Sequence, residues 1–130
     1  MSRAFVREPD GDEVADELPE RQHSDLPNYI TLEGLSGLQV RVRQLQNEII
    51  ALKGRESIDV KSRIATTQRD LRYLQERLHR AKPLTPPASP EKVEFGVSVK
   101  LVDKAGQEYH FTLVGEDETD LDRDRVSWAS

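Results

Sequence analysis

The chain has 130 residues, of which 35% are hydrophobic and 33% are charged, so it has room for one domain or two small ones but no large core. The absence of cysteine excludes disulfides and thiolate metal sites, and it favours an intracellular setting. No apolar run approaches the roughly 20 residues of a membrane span, and no hydrophobic signal core follows the first residue. We therefore expect a cytoplasmic protein that makes no contact with membranes.

Charge is distributed unevenly along the chain. Residues 1–30 carry eight acidic and three basic side chains, residues 31–82 carry six and eleven, and residues 83–130 carry ten and five. The three balances are −5, +5 and −5, so a basic middle lies between two acidic flanks. Such a middle segment could face nucleic acid or an acidic protein channel. The first 27 residues have little apolar content, and we interpret them as a disordered acidic arm.

A heptad pattern of apolar side chains occupies the middle of the chain. Two patterned stretches, separated by a break at residues 54–57, predict an antiparallel coiled-coil hairpin over residues 28–82. Each arm has roughly 22 residues, or roughly 33 Å of helix. Thr31 and Ser57 are the predicted N-caps. The apolar seam is predicted to contain Leu35, Leu38, Val42, Leu45, Ile49, Leu52, Val60, Ile64, Thr67, Leu71, Leu74, Leu78 and Ala81, and the arginines Arg69, Arg72, Arg77 and Arg80 are predicted to lie on exposed faces.

The remainder of the chain has the signature of a linker followed by strands. Four prolines within residues 83–90 predict a semi-stiff linker and a domain boundary. Apolar residues then alternate over 93–101 and 109–113, which predicts an antiparallel β-hairpin with a turn between its strands. A third strand is predicted to begin at Val126. Three strands with one apolar face need a cover, so we expect an exposed apolar face in this part of the chain.

Candidate chemistry is sparse. None of the three histidines has a partner at the spacing of a catalytic or metal motif, and no phosphate-binding glycine loop is present. One pair of carboxylates, Glu56 and Asp59, is predicted to lie at the hairpin tip on one side of a helical turn. Two carboxylates bind Mg²⁺ weakly unless further ligands come from elsewhere, so the pair would act in another protein's metal site. The alternative is that these acids only stabilise the start of the second helix.

Three runs of sequence resemble the signature of the bacterial GreA/GreB transcript-cleavage factors. They are VEFGVSVKLVD at residues 93–103, FTLVGEDETD at residues 111–120 and VSWAS at residues 126–130. The resemblance extends over residues 28–130. It implies an α+β protein with an N-terminal helical hairpin and, over residues 91–130, a partial FKBP-like antiparallel β domain.

The resemblance also implies a mechanism in which the protein is not itself an enzyme. Factors of this family hold RNA polymerase at the rim of its secondary channel and insert the coiled coil, and the acidic tip helps the polymerase bind a second Mg²⁺ and cleave backtracked RNA. Glu56 and Asp59 would be the tip residues, and no cofactor would belong to the protein alone. Nucleic acid would be reached only through the elongation complex. The implied polymerase-docking residues, facing a basic helical tip at the rim, are Glu116, Asp117, Glu118, Asp120 and Ser127.

The sequence departs from the family pattern in three places. The family tip is similar to G-D-L-x-E-N-A-E-Y, whereas Gly54 is here followed by Arg55, and the acidic pair has the reverse order. Each arm of the hairpin is about one heptad shorter, which removes roughly 10 Å of reach. The family continues with P-L-x-x-A-L beyond the position of Ser130. We therefore interpret the chain as a short-coiled-coil, C-terminally truncated variant.

Three functions remain open on these residues. The protein could stimulate cleavage, or it could occupy the channel and regulate transcription without cleavage. It could instead be a scaffold that dimerises through its heptads and an open sheet edge, although we expect a monomer. A prolyl isomerase is excluded, because a fold alone does not carry a function and half of the pocket-forming domain is missing.

Overall fold

The structure is a computed structural model in which residues 18–130 are described. Residues 1–17 of the predicted acidic arm lie outside this described range. The described chain divides into two compact units, one of residues 18–23 and 40–76 and the other of residues 24–39 and 77–130. A helical hairpin is followed by a small β-sheet, which confirms the α+β class. Within residues 18–130, no helix has the length and apolar content needed to cross a membrane.

Two long helices form the hairpin. Helix α1 spans Leu32–Lys53 and helix α2 spans Ile58–Arg80. Both predicted N-caps are confirmed, because the Gly34 N–H donates to Thr31 Oγ1 at 3.0 Å and the Val60 N–H donates to Ser57 Oγ at 3.1 Å. The predicted seam of α1 is confirmed over most of its length, and α2 contributes fewer fully buried side chains. The predicted seam residues that are buried are Leu38, Val42, Leu45, Ile49 and Leu52 in α1 and Thr67 in α2, and Ala65, which the heptad pattern does not assign to the seam, is buried as well.

A short parallel β-ladder, which the periodicity does not predict, joins the chain segments on either side of the hairpin. Strand β1 (Asn28–Ile30) precedes α1, and strand β2 (Ala81–Pro83) follows α2. Helix α2 therefore ends at Arg80, two residues before the expected end near residue 82. Pro83 is tolerated because a strand at a sheet edge does not need every N–H. The next residue restores the pairing, since the Leu84 N–H donates to the Ile30 carbonyl at 2.9 Å.

The second sheet contains the predicted hairpin. Strands β3 (Ser98–Val102) and β4 (Glu108–Val114) pair antiparallel, and β5 (Arg125–Ser127) pairs parallel with β4, so the sheet is mixed and not wholly antiparallel. Strand β3 begins at Ser98, whereas the alternation of apolar residues predicts a start at residue 93. Gly96 adopts a positive φ of 80°, and the preceding residues form a turn closed by the Val97 N–H on the Glu94 carbonyl at 3.1 Å.

One part of the sheet exposes apolar side chains, as the sequence predicts. Val97 and Val114 are buried, whereas Leu101, Val102 and Tyr109 are between 51% and 59% exposed. The exposed residues lie at the end of the β-hairpin that is next to its turn. The buried ones lie at the other end, so the buried part of this sheet is confined to that end of the β-hairpin.

Residues 20–23, which the sequence assigns to the disordered arm, contact the middle of helix α2. Arg72 Nη2 lies 2.7 Å from Glu20 Oε1, and the guanidinium of Arg21 lies 3.8 Å from the centroid of the Tyr73 ring. The ring of His23 stacks on the same tyrosine with centroids 5.0 Å apart. Charge pairing and ring stacking together place this segment on the helix surface.

This contact predicts an altered titration of Glu20. The hydrogen bond from Arg72 holds the pKa of Glu20 below its ordinary value of 4.5. Because the folded-state pKa is lowered, the stabilisation is present above the ordinary pKa and is lost as the pH falls through the lowered value. We expect an NMR titration to give Glu20 a lower midpoint in the unmodified protein than in Arg72→Ala. Equal midpoints of Glu20 in the two proteins would contradict the contact.

Candidate functional site

The tip of the hairpin presents the two predicted carboxylates. Residues 54–57 connect the helices, and Asp59 lies in the first turn of α2. The side chains of Glu56 and Asp59 are exposed. Glu56, Ser57, Ile58 and Lys61 line a shallow depression, which Asp59 does not line. The side chain of Ile58, beside these acids, is 73% exposed.

The tip does not form a complete metal site by itself. Within residues 18–130, no group of three or more His, Asp or Glu side chains is arranged to hold a metal ion. Glu56 and Asp59 supply the oxygen donors that Mg²⁺ prefers, but an octahedral ion needs more ligands than two carboxylates provide. Any further ligands would have to come from outside these two side chains.

Capping by Ser57 orders the start of α2 at the tip. Removing the hydroxyl with Ser57→Ala leaves the Val60 N–H without its side-chain acceptor. We expect the free energy of unfolding to fall by about 1 kcal/mol, which is typical for the loss of an N-cap. Urea denaturation measures the change, and Ser57→Asp, which restores an acceptor, serves as the control. If Ser57→Ala and Ser57→Asp lower the free energy of unfolding equally, loss of the N-cap does not explain the change.

The predicted docking acids lie in a loop after β4 that contains two short 3₁₀ turns, Glu116–Glu118 and Leu121–Arg123. Three of these acids bind other parts of their own unit. Glu116 Oε1 accepts from the Ser24 hydroxyl at 3.0 Å, and Asp117 Oδ2 accepts from Arg77 Nε at 2.6 Å. Glu118 accepts from the backbone N–H of Thr31 at 3.0 Å and from the Thr31 hydroxyl.

The remaining docking candidates have different surroundings. The side chain of Asp120 caps the second 3₁₀ turn by accepting from the Asp122 N–H at 3.2 Å. Ser127 lies at the end of β5, where its hydroxyl accepts from the Ala129 N–H at 3.1 Å. The five predicted residues lie in or beside one loop, and each of their side chains accepts a hydrogen bond from within the chain.

Arg77 corrects the expectation that the arginines of α2 are exposed. Its side chain is only 1% exposed. Arg77 donates to Asp117 through Nε and to Asn28 Oδ1 through Nη2 at 2.7 Å, and the Asn28 amide donates back to the Arg77 carbonyl at 2.7 Å. The guanidinium therefore joins the end of α2 to β1 and to the acidic loop. A buried charge requires such partners, because removing it from water is costly.

An aromatic cluster lies beside this network in the same unit. The Tyr29 ring meets the Trp128 ring edge-on with centroids 5.0 Å apart, and it meets the Phe95 ring with centroids 6.3 Å apart. These contacts connect β1, the turn before β3 and the residue that follows β5. Edge-to-face pairs of this kind add to the stabilisation that comes from burial of the rings.

Comparison with known proteins identifies the family. Residues 88–130 match the family model described as transcription elongation factor GreA/GreB, C-terminal. Transcription elongation factor GreB of Pseudomonas aeruginosa is 34% identical over 92 residues, which are 67% of this chain and 55% of that protein. Transcription elongation factor GreB of Neisseria meningitidis serogroup B is 28% identical over 124 residues, which are 82% of this chain and 76% of that protein.

The chain belongs to the GreA/GreB family. The matched region includes β3, β4, β5 and the acidic loop, and therefore all five predicted docking residues. The tip residues Glu56 and Asp59 lie outside the region matched by the GreA/GreB model. The chain spans about half the length of the Pseudomonas aeruginosa protein.

From the sequence we did not predict which residues hold the sheet of β3, β4 and β5 to the base of the helical hairpin. Arg77, Asn28 and Thr31 contact the acidic loop or one another across more than 35 positions of the chain, and heptad periodicity carries no information about such contacts. One signal was available. Gly34 stands in the first turn of a helix, where glycine is unfavourable, and its lack of a side chain makes room for Glu118.

Proposed function

We propose that this protein is a Gre-like transcription elongation regulator that binds RNA polymerase at its secondary channel and stimulates cleavage of backtracked RNA. The observation that carries the proposal is the presence in one chain of the GreA/GreB C-terminal region and a long helical hairpin with two exposed carboxylates at its tip. Relatives that match the chain are named transcription elongation factor GreB, which supports the same role.

Two properties of the hairpin support such a role. Residues 31–82 carry a charge balance of +5, so their surface is attracted to an acidic channel and to nucleic acid. Helices α1 and α2, with 22 and 23 residues, are each about 33 Å long. A narrow rod of this kind can enter a channel that excludes a globular domain.

The tip would contribute ligands to chemistry that the polymerase performs. Glu56 and Asp59 would donate oxygens to a Mg²⁺ ion whose other ligands come from the polymerase. When bound, such an ion supplies the charge that lowers the pKa of water and stabilises the leaving oxygen. On this proposal the catalytic centre belongs to the polymerase, and the protein's own residues present the carboxylates and exclude bulk water.

A reconstituted backtracked elongation complex tests the proposal. The polymerase of the source organism is mixed with the full chain, and both RNA cleavage and binding to the polymerase are measured. We expect saturable binding together with faster cleavage. Binding without cleavage would show a regulator that occupies the channel, and the absence of binding would contradict the proposal altogether.

The alternative of a self-associating scaffold is tested separately. A scaffold that pairs through the heptads or the sheet edge would change its sedimentation coefficient with concentration. We expect sedimentation velocity to show a monomer at all concentrations. A concentration-dependent dimer that fails to bind polymerase would favour the scaffold.

A further inference from the structure

The acidic loop after β4 is joined to the base of the hairpin by three consecutive side chains. Glu116, Asp117 and Glu118 each accept a hydrogen bond from a different residue of the segment before α1 or of the end of α2. A loop that only presented charge to a partner would leave its carboxylates in solvent. The family signature treats these acids as one acidic run, whereas the structure gives each of them a separate internal partner.

Glu118 accepts three hydrogen bonds. Its Oε2 accepts from the backbone N–H of Thr31 at 3.0 Å and from that of Gly115 at 2.8 Å, and its Oε1 accepts from the Thr31 hydroxyl. Thr31 is the N-cap of α1, and its hydroxyl oxygen in turn accepts from the Gly34 N–H at 3.0 Å. The carboxylate therefore links the loop after β4 to the first turn of α1 through backbone groups.

Two glycines make room for this carboxylate. A Cβ built on Gly34 would overlap the carboxyl group of Glu118, and a Cβ built on Gly115 would overlap the Tyr29 carbonyl and approach Glu118 Oε2 at 2.9 Å. A Cβ built on Gly37, about one turn further along α1, would have no atom within 4 Å. The close approach is thus specific to the site around Glu118 and is not a general property of the glycines in this helix.

We propose that Glu118 is a positioning residue. Its hydrogen bonds to Thr31 and Gly115 hold the start of α1 against the sheet, and this position controls the rate of RNA cleavage that the hairpin stimulates. The inference deepens the proposed function and rests on it for its activity readout. It assigns to Glu118 a role that differs from charge-based docking on polymerase. A positioning role depends on acceptor geometry, whereas docking on a basic surface depends on negative charge.

Glutamine at position 118 separates the two roles. Its carbonyl oxygen can accept from both N–H groups, and its NH₂ can donate to the Thr31 hydroxyl oxygen, so Glu118→Gln keeps two of the three hydrogen bonds and reverses the third, without the charge. Glu118→Ala removes the hydrogen bonds and the charge together. Asp122→Ala removes one exposed carboxylate from the same loop and is the matched control.

Distance measurements by double electron–electron resonance test positioning without polymerase. The chain has no native cysteine, so Gln39→Cys on α1 and Lys104→Cys in the β3–β4 turn, two exposed sites in one unit, accept spin labels selectively. We expect a narrow distance distribution in the parent, in Glu118→Gln and in Asp122→Ala, and a broadened or shifted one in Glu118→Ala. A narrow distribution in Glu118→Ala, or equal broadening in the Gln or Asp122 variants, would overturn the proposal.

A second pair of variants covers the case in which Glu118→Ala does not fold. Gly34→Ala keeps glutamate at position 118 but displaces its carboxyl group, because the added Cβ would overlap it. Alanine also has a higher helix propensity than glycine. Gly37→Ala makes the same change in open space. We expect Gly34→Ala to broaden the distribution and Gly37→Ala to leave it unchanged. Identical narrow distributions in the two variants would also overturn the proposal.

Cleavage kinetics link the position of α1 to function. With saturating protein, we expect Glu118→Ala to lower the maximal cleavage rate about tenfold, because small displacements of reacting groups have large effects, while Glu118→Gln stays near the parent. If both variants instead need a higher protein concentration for half-maximal cleavage, while the spin-label distances are unchanged, Glu118 acts as a docking charge and the proposal is overturned. If the parent neither binds nor cleaves, the proposed function fails, and the distance measurements alone decide the role of Glu118.

Discussion

Replacing Glu56 and Asp59 together with alanine is expected to lower the rate of RNA cleavage in backtracked complexes by about 100-fold. Both side chains are exposed at the hairpin tip, so their removal should leave the fold intact. Binding to polymerase should change by less than about twofold, because exposed carboxylates contribute little affinity once the rest of an interface is in place. Loss of cleavage with retained binding is the signature of a group that acts at the reacting centre.

The matched control removes the same charge from elsewhere. Glu48→Ala with Glu91→Ala deletes two carboxylates away from the tip, and it breaks an exposed ion pair between Glu48 and Arg63 whose charged atoms are 3.5 Å apart. Such a pair is worth between about 0 and 1 kcal/mol. We expect cleavage by this variant to equal that of the parent. If the tip variant also cleaves normally, the metal role of Glu56 and Asp59 is wrong, and occupation of the channel is the better account.

Replacing the buried Arg77 with methionine is expected to lower the free energy of unfolding by about 1–3 kcal/mol. The substitution keeps a long side chain but removes donors to Asp117 and Asn28. Asp117, whose side chain is 15% exposed, would then lose its ion pair with Arg77. A loss of this size follows from breaking the buried bonds of Arg77 and from leaving the buried Asn28 amide oxygen without its Arg77 donor.

Urea denaturation of the full chain measures the effect. Arg43→Met makes the same replacement at an exposed position of α1 and should change stability by less than about 0.5 kcal/mol. Arg77→Met combined with Asp117→Asn should lose less stability than the sum of the two single variants, because both substitutions act on the same ion pair. A loss below about 1 kcal/mol in Arg77→Met would mean that the buried network contributes little to the stability of this unit.

The Arg77 network changes how the family signature is interpreted. From the sequence, the acids between residues 116 and 120 form one docking surface. In the structure, Asp117 and Glu118 are hydrogen-bonded to α2 and to the N-cap of α1, whereas Asp120 caps its own turn. An acidic motif can therefore be retained for internal hydrogen bonds as well as for contact with a partner. The variants of Glu118 and Asp122 separate these two uses.

The sequence by itself determined the local structure, since local structure depends on residues close together in the chain. Heptad spacing placed the two helices and most of the α1 seam, Thr31 and Ser57 marked their starts, and strict alternation placed β4. The same reasoning identified the family, because its signature lies in contiguous runs. It placed the start of β3 five residues too early, because alternation continues through a turn that the positive φ of Gly96 creates.

Only the tertiary structure decided the contacts between distant segments. The bonds from Arg77 to Asp117 and from Thr31 to Glu118 join residues 40 and 87 positions apart. Arg77 follows the charged pattern of an exposed helix face, and nothing in its neighbours signals burial. Its environment is set by β1 and the acidic loop, which reach it through pairing of β1 with β2 and of β4 with β5. Burial of a charge depends on which distant acceptors fold around it, and periodicity within one helix does not specify them.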